Sequence, residues 1–382
     1  MSSSSSSSAF ASATSAIGSV LETLLKERGF SLSPDGLDNG FLPSSQSSSR
    51  TETTTNQNPS PGRAVPLLPA TVYFIRHAES TANVAAKRFP KGSPEREEQY
   101  CSTEYFNAEL SDHGAKTASE EVWENLRKNG FCPDVIPAGT IRGSAINIVL
   151  MSTLRRTLAT AKLGVFDRII DISNVDQEQQ DGKISPADSP PRRGGKTKNW
   201  FWFAHDAMRE YAMGVVHPCD YRDGCLDAER ERYDFIDYFP DNTARDPIPE
   251  NEPMDGLRRR IGVDFRLLLE EIMSVVNGLS FGKAVAAAPD EDRIQGGCGE
   301  EAQEHSMGKL TAGITSRSSS GAAAVVKVNI IVVSHSQFLS ELFRTFLQDE
   351  ENAVFANCEV RSVGLAKLMQ GLANFYGDTE AR

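Results

Sequence analysis

An α/β fold follows from three features of the sequence: a three-layer α/β/α sandwich with helices on both faces of a mostly parallel sheet. Short apolar and β-branched runs read as buried strands. They alternate with amphipathic helical segments through residues 70–370, the order of a parallel sheet covered on both faces. Two of the runs, VYFI and NIIVV, end the same way, with a histidine just past the strand.

Taken in order, TVYFI (71–75) is the first strand, and polar sequence follows it. Residues 115–130, AKTASEEVWENLRKNG, form a helix with Ala118, Val122, Trp123 and Leu126 on one face and a terminating glycine. INIVL (146–150) is the second strand and leads through Ser152 into a helix over 154–163. WFWFA (200–204) is a third, shorter strand. Residues 255–277 place Leu257, Ile261, Phe265, Leu268, Leu269, Ile272 and Val276 at helical spacing. VNIIVV (328–333) is the fourth strand, FLSELFRTFL (338–347) a helix after it, and EVRSVGLA (359–366) closes the sheet as an edge strand. There is no internal repeat.

Segments 1–16 and 43–62 are rich in Ser, Thr, Asn and Pro, and they lack the apolar side chains needed to offset ordering entropy. The sequence therefore divides into a disordered Ser-rich N-terminal tail (1–66), a folded domain (67–372) and a short C-terminal tail (373–382). Low-complexity insertions at 176–198 and 283–323 interrupt the domain. Inside the first tail, Ile17, Val20, Leu21, Leu24 and Leu25 mark a short helix at 17–28, which lies on the domain or docks a partner.

A formal charge of −12 and a pI near 5.1 argue against nucleic acid and anionic membranes as partners, because the long-range field repels polyanions. A small pocket can still be strongly positive where arginines converge. Cys101, Cys132, Cys219, Cys225, Cys298 and Cys358 show neither a CxxC pair nor a metal-ligand spacing, and they read as free thiols. No long apolar span is present. The absence of Lys or Arg before Lys26 disfavours a secretory or mitochondrial leader and leaves a cytoplasmic location, with a plastid-type transit peptide as the alternative.

The chemistry gathers at strand ends. VYFI runs into Arg76 and His77, and NIIVV into Ser334, His335 and Ser336. In a parallel sheet these ends share one edge, where open α/β sheets bind ligands. INIVL runs into MSTLRRT, so Arg155 and Arg156 open a helix whose free N–H groups and dipole favour an anion. Two histidines and two or three arginines at one rim suit a phosphoryl dianion.

FIRHAESTAN resembles the Arg-His-Gly-Glu signature of the histidine phosphatase superfamily, the phosphoglycerate mutase-like fold. Further segments match that family in order: NAELSDHGAKTA (107–118), MSTLRRTLATA (151–161) and VVSHSQFL (332–339). AMREYAMGVVHPCDYR (207–222) is similar to a block of the plant and fungal phosphoglycerate mutase-like proteins. The resemblance implies a phosphatase that hydrolyses a small phosphomonoester, such as a phosphorylated metabolite, through a phosphohistidine. It implies no metal and no organic cofactor. His77 would be the nucleophile, with Arg76, Arg156 and His335 around the phosphoryl oxygens and Asn83 donating a further hydrogen bond. Glu210 would protonate the leaving oxygen and then assist the water. Its rival Glu79 reads as an anchor of the signature loop, and Asp220 and Arg222 are candidates for a substrate-facing flap.

The chain also departs from the pattern. Ala78 stands where the signature has Gly, which is tolerable if φ there is negative. Asn107 stands where Asp is usual, and Ser336 follows the second histidine where acid phosphatases and phytases place their Asp donor. MREYAMG differs from the glycolytic mutase segment and disfavours that activity. A phosphomutase using the same intermediate is one alternative, and a non-catalytic phospho-ligand-binding protein is another.

Overall fold

Seven consecutive buried residues, VNIIVVS, need a neighbour on each edge and cover on each face, and Val328–Ser334 (β5) has both. The computed structural model describes residues 18–27, 70–133, 145–172, 199–211, 226–238, 252–277 and 327–377. On one side β5 pairs in parallel with β1 (Ala70–Arg76) and on the other with β2 (Ile146–Met151). β3 (Trp200–Ala204) extends the sheet beyond β2, and the two-residue β4 (Asp237–Tyr238) follows it. β6 (Val360–Gly364) runs antiparallel along the outer edge of β1, giving the order β4-β3-β2-β5-β1-β6. The edge strand over 359–366 is thus where the sequence puts it, whereas β4 has too little apolar content to read as a strand.

Side chains alternate between two cores. Val72, Phe74, Ile148, Leu150, Phe201, Phe203, Ile330 and Val332 face a layer made by the long helix Met254–Asn277 and the helices following β5 and β6. Tyr73, Ile75, Val149, Met151, Trp202, Ile331 and Val333 face the helices Asp112–Lys128 and 155–172. Both faces are apolar, which is why the strands read as unbroken hydrophobic runs. Asn147 and Asn329 are an exception at the core's lower end. They lie directly opposite in the register of β2 and β5, and Asn329 Nδ2 donates to Asn147 Oδ1 at 2.8 Å. A one-residue slip would strand two buried amides, so the pair fixes register as well as filling space.

The helix Asp112–Lys128 begins three residues before the segment expected from periodicity, because Ser111 caps it by accepting from Gly114 N at 2.9 Å. The helix over 18–27 buries Leu21, Leu24 and Leu25 in the first core, and Gly18 N donates to Glu271 Oε1 at 3.1 Å. A Cβ at Gly18 would come within 2.5 Å of that oxygen. The segments 1–17 and 28–69 and the insertions 176–198 and 283–323 lie outside the described residues. Among the described residues no helix is long and apolar enough to cross a membrane.

Burial pushes the Glu271 carboxyl up to about 7 from an ordinary 4.5, against the opposing pull of the Gly18 N–H. Folding therefore favours the protonated form. Its stabilising contribution is complete below the unfolded value and is lost as pH rises through about 7. The melting temperature of wild type minus that of Glu271→Gln should fall as pH is raised from about 5 to about 8. Other titrating groups cancel in that difference, and a difference independent of pH would refute the assignment.

Candidate active site

Register brings three strand ends level. Arg76 pairs with Ser334, and Met151 with Val333, so the residues that follow emerge side by side. The ladders continue one step further: His77 N donates to Ser334 O at 2.9 Å and Ser152 N to Val333 O at 3.1 Å. His77 and His335 consequently meet, with ring centroids 5.0 Å apart and planes at 61°.

Arg156 lies between them. Its Nε donates to His77 Nε2 at 3.2 Å, and its Nη2 to His335 Nδ1 at 3.1 Å. Both nitrogens must carry lone pairs to accept from a guanidinium, which fixes both tautomers. His77 Nδ1–H donates to Ala78 O at 2.6 Å, and His335 Nε2–H to Ser152 Oγ at 2.9 Å. All three side chains are buried. Burial holds both imidazoles well below the ordinary histidine range, reinforced in each case by Arg156. His77 thus presents an unprotonated Nε2 with its other nitrogen engaged, as a nitrogen nucleophile requires. Both nitrogens of His335 are engaged, so its contact with a bound anion would exchange one of these partners.

Arg76 turns its Nη1 to Phe355 O at 2.6 Å, while its Nε is buried without a hydrogen-bond partner. Burial lowers the basicity of Arg76, and the nearby Glu210 carboxylate works against that. Two threonines fix the helix that carries Arg156. Thr157 Oγ1 lies at 2.7 Å from Ser152 O and 2.6 Å from Leu154 O. Thr160 Oγ1 accepts from Ala78 N at 3.0 Å and donates back to Arg156 O at 2.6 Å. The contact from Ala78 N joins the signature loop directly to the arginine helix. Ala78 is not among the described non-glycine residues with positive φ, so its methyl costs nothing at the turn.

Those positive-φ residues include Asn107, at φ 44° and fully buried. Asn, like Asp, is among the few side-chain-bearing residues that adopt this conformation readily. Its Oδ1 accepts from Arg155 N at 3.1 Å, satisfying a free N–H at the helix start. Arg155 itself turns away from the histidines to pair with Glu229. Asn83 sits in the first turn after the signature, and its Oδ1 accepts from Ser80 N at 3.1 Å in a capping box. That use leaves the amide Nδ2 as the group able to donate to an anion.

Glu79 is bound up in scaffolding. Its carbonyl accepts from Ser111 N at 3.0 Å, its Oε2 from Ser111 Oγ at 3.2 Å, and its Oε1 pairs with Lys87. Burial alone would raise this carboxyl, yet Lys87 and Ser111 hold it below the ordinary range. Gly114 completes the anchor, because a Cβ there would come within 2.0 Å of Glu79 O.

Glu210 approaches from the segment after β3. Its Oε1 accepts from Tyr211 N at 3.0 Å and from Gln337 N, two residues past His335, at 3.2 Å. The carboxylate therefore lies at the same strand-end rim as the histidines. Asp220 and Arg222 fall outside the described residues. Arg260 and Glu252, a buried ion pair at 2.7 Å behind Glu210, escaped the sequence reading. Nothing in their local pattern separates them from the polar face of an amphipathic segment.

No family model matches the chain, and no curated protein matches it. Solved structures do. One, described as "a putative alpha-ribazole-5'-P phosphatase" from Escherichia coli, is 16% identical, with a TM-score of 0.31 over 78% of this chain and 90% of that chain. A likeness that distant carries no functional argument, and the functional reading rests on the site.

Gly114→Ala tests the anchor. The added methyl must displace a backbone carbonyl, which should destabilise the fold by about 1–3 kcal/mol. Denaturant unfolding measures this, and a loss below about 0.5 kcal/mol would show that the loop adapts freely.

Proposed function

We propose that the chain is a phosphomonoester hydrolase of the histidine phosphatase type, working through a phosphohistidine. The observation that carries this reading is the pair of neutral buried imidazoles bridged by one guanidinium, with the unprotonated Nε2 of His77 accepting from Arg156. An incoming phosphoryl group would take the place of that contact. Arg156 Nε and Nη2 then bond phosphoryl oxygens instead of ring nitrogens, and His77 Nε2 is released toward phosphorus.

In the first step the Nε2 lone pair forms a P–N bond while the ester P–O bond breaks. The leaving oxygen takes the proton of Glu210. Arg76, Arg156, His335 and the amide of Asn83 hold the equatorial oxygens, and positioning with electrostatics supplies most of the rate. In the second step water attacks phosphorus, gives a proton to Glu210, and the P–N bond breaks to free His77 and inorganic phosphate. A small phosphorylated metabolite is the substrate class. Asp220 and Arg222 remain proposed flap residues.

A panel of phosphorylated metabolites with phosphate release as readout should identify substrates, and a parallel arm with a bisphosphate primer separates hydrolysis from phosphoryl exchange. His77→Ala should reduce turnover to background and abolish acid-labile labelling from a ³²P substrate. Turnover by His77→Ala equal to wild type would remove the nucleophile assignment. Glu210→Gln should slow alkyl phosphates by about 10²–10⁴-fold and spare activated aryl esters, whose leaving groups need no proton.

A further inference from the structure

Glu210 lies past the last residue of β3, where no sheet ladder fixes the chain, yet its carboxyl must sit against the β5 rim. Four successive carbonyls in this segment are held by side chains. Arg260 Nη1 donates to Ala207 O at 3.2 Å and to Arg209 O at 2.6 Å, and its Nη2 reaches Glu210 O at 3.4 Å. The carbonyl between them, Met208 O, accepts from Ser334 Oγ at 2.7 Å. The other edge of the guanidinium is bidentate to Glu252, Nε to Oε1 at 2.9 Å and Nη2 to Oε2 at 2.7 Å.

We propose that Arg260, oriented by Glu252, is a positioning residue that sets the proton-donating carboxyl of Glu210 against the strand-end rim. This rests on the reading of Glu210 as the leaving-group acid.

The chemistry requires arginine at this place. Its planar fork provides five N–H donors, and here every one is engaged: two on the carboxylate, three on carbonyls. Lysine has three donors on one nitrogen and cannot span carbonyls on one side and a carboxylate on the other. Glu252 pairs with the charge, so the guanidinium behind the site is not left as an unpaired buried cation, and removing either partner would leave the other uncompensated. The backbone supports the geometry as well. Arg260 opens a π-turn, Arg260–Phe265, inside the long helix, and such turns shift the side chains that follow relative to an unbroken helix. Arg260 also lies near enough to His335 to lower its basicity, which places the clamp beside the proposed reaction centre rather than remote from it.

The test uses Arg260→Lys and Glu252→Gln in the full chain, beside wild type and His77→Ala. Two phosphomonoesters are compared, p-nitrophenyl phosphate with a good leaving group and an alkyl phosphate with a poor one. Both clamp variants should lose about 10- to 100-fold in kcat on the alkyl ester, with KM and p-nitrophenyl phosphate turnover little changed. Equal loss on both esters, or none, overturns the positioning role. Amide hydrogen exchange supplies a readout independent of turnover: the peptide covering 207–211 should exchange faster in both variants while β1 and β5 do not change. Unchanged exchange in that peptide overturns the clamp even if the chain has no phosphatase activity. If instead His77→Ala matches wild type, the proposed function fails, and the exchange result still judges the clamp.

Discussion

A guanidinium buried between two imidazoles is the constraint on which the site depends. Arg156 can donate to His77 Nε2 and His335 Nδ1 only if neither ring is protonated on that side. Each remaining ring proton then needs an acceptor, and Ala78 O and Ser152 Oγ supply them. Breaking either contact would leave a buried donor unsatisfied, which costs more than the hydrogen bond itself contributes. The fold delivers all three groups through parallel register, with β5 central and β1 and β2 ending at the same height on either side. An antiparallel partner at either place would send one of these groups to the opposite edge.

This dependence explains why so much of the site was legible in the sequence. A buried parallel strand shows as an apolar run, and the residue after it occupies the edge whatever lies between strands. His77, His335 and Arg156 could therefore be brought together from strand ends alone, although long and partly low-complexity stretches separate them. The anchoring role of Glu79 was legible for a related reason, since the loop it closes is short and local.

What was not legible is long-range and polar. Asn107 shows neither its positive φ nor its bond to Arg155 N at the start of the arginine helix in the local sequence. Arg260 and Glu252 lie eight residues apart, and their importance appears only when the segment after β3 folds back across them. The start of the Asp112–Lys128 helix was missed because hydrophobic spacing registers the buried face, whereas Ser111 sets the first turn by capping. Pattern reading finds what is buried by periodicity, and these are instances of polar groups buried by pairing.

The two halves of the site are consequently held by different physics. His77, His335 and Arg156 hang from sheet ladders and a close-packed core, where a displacement would disturb many apolar contacts at once. Glu210 hangs from no sheet ladder, although Ala207 and Met208 just before it are buried in the first core. Its segment is kept in place by hydrogen bonds to carbonyls from Arg260 and Ser334, and its carboxylate by the N–H of Gln337. Ser334 and Gln337 flank His335 in the chain, so the segment is referenced to the strand that carries the second histidine rather than to its own strand β3. In the proposed reaction Glu210 must keep its distance from the scissile oxygen. Referencing it to β5 ties its position to those of His77 and His335, whose strands pair directly.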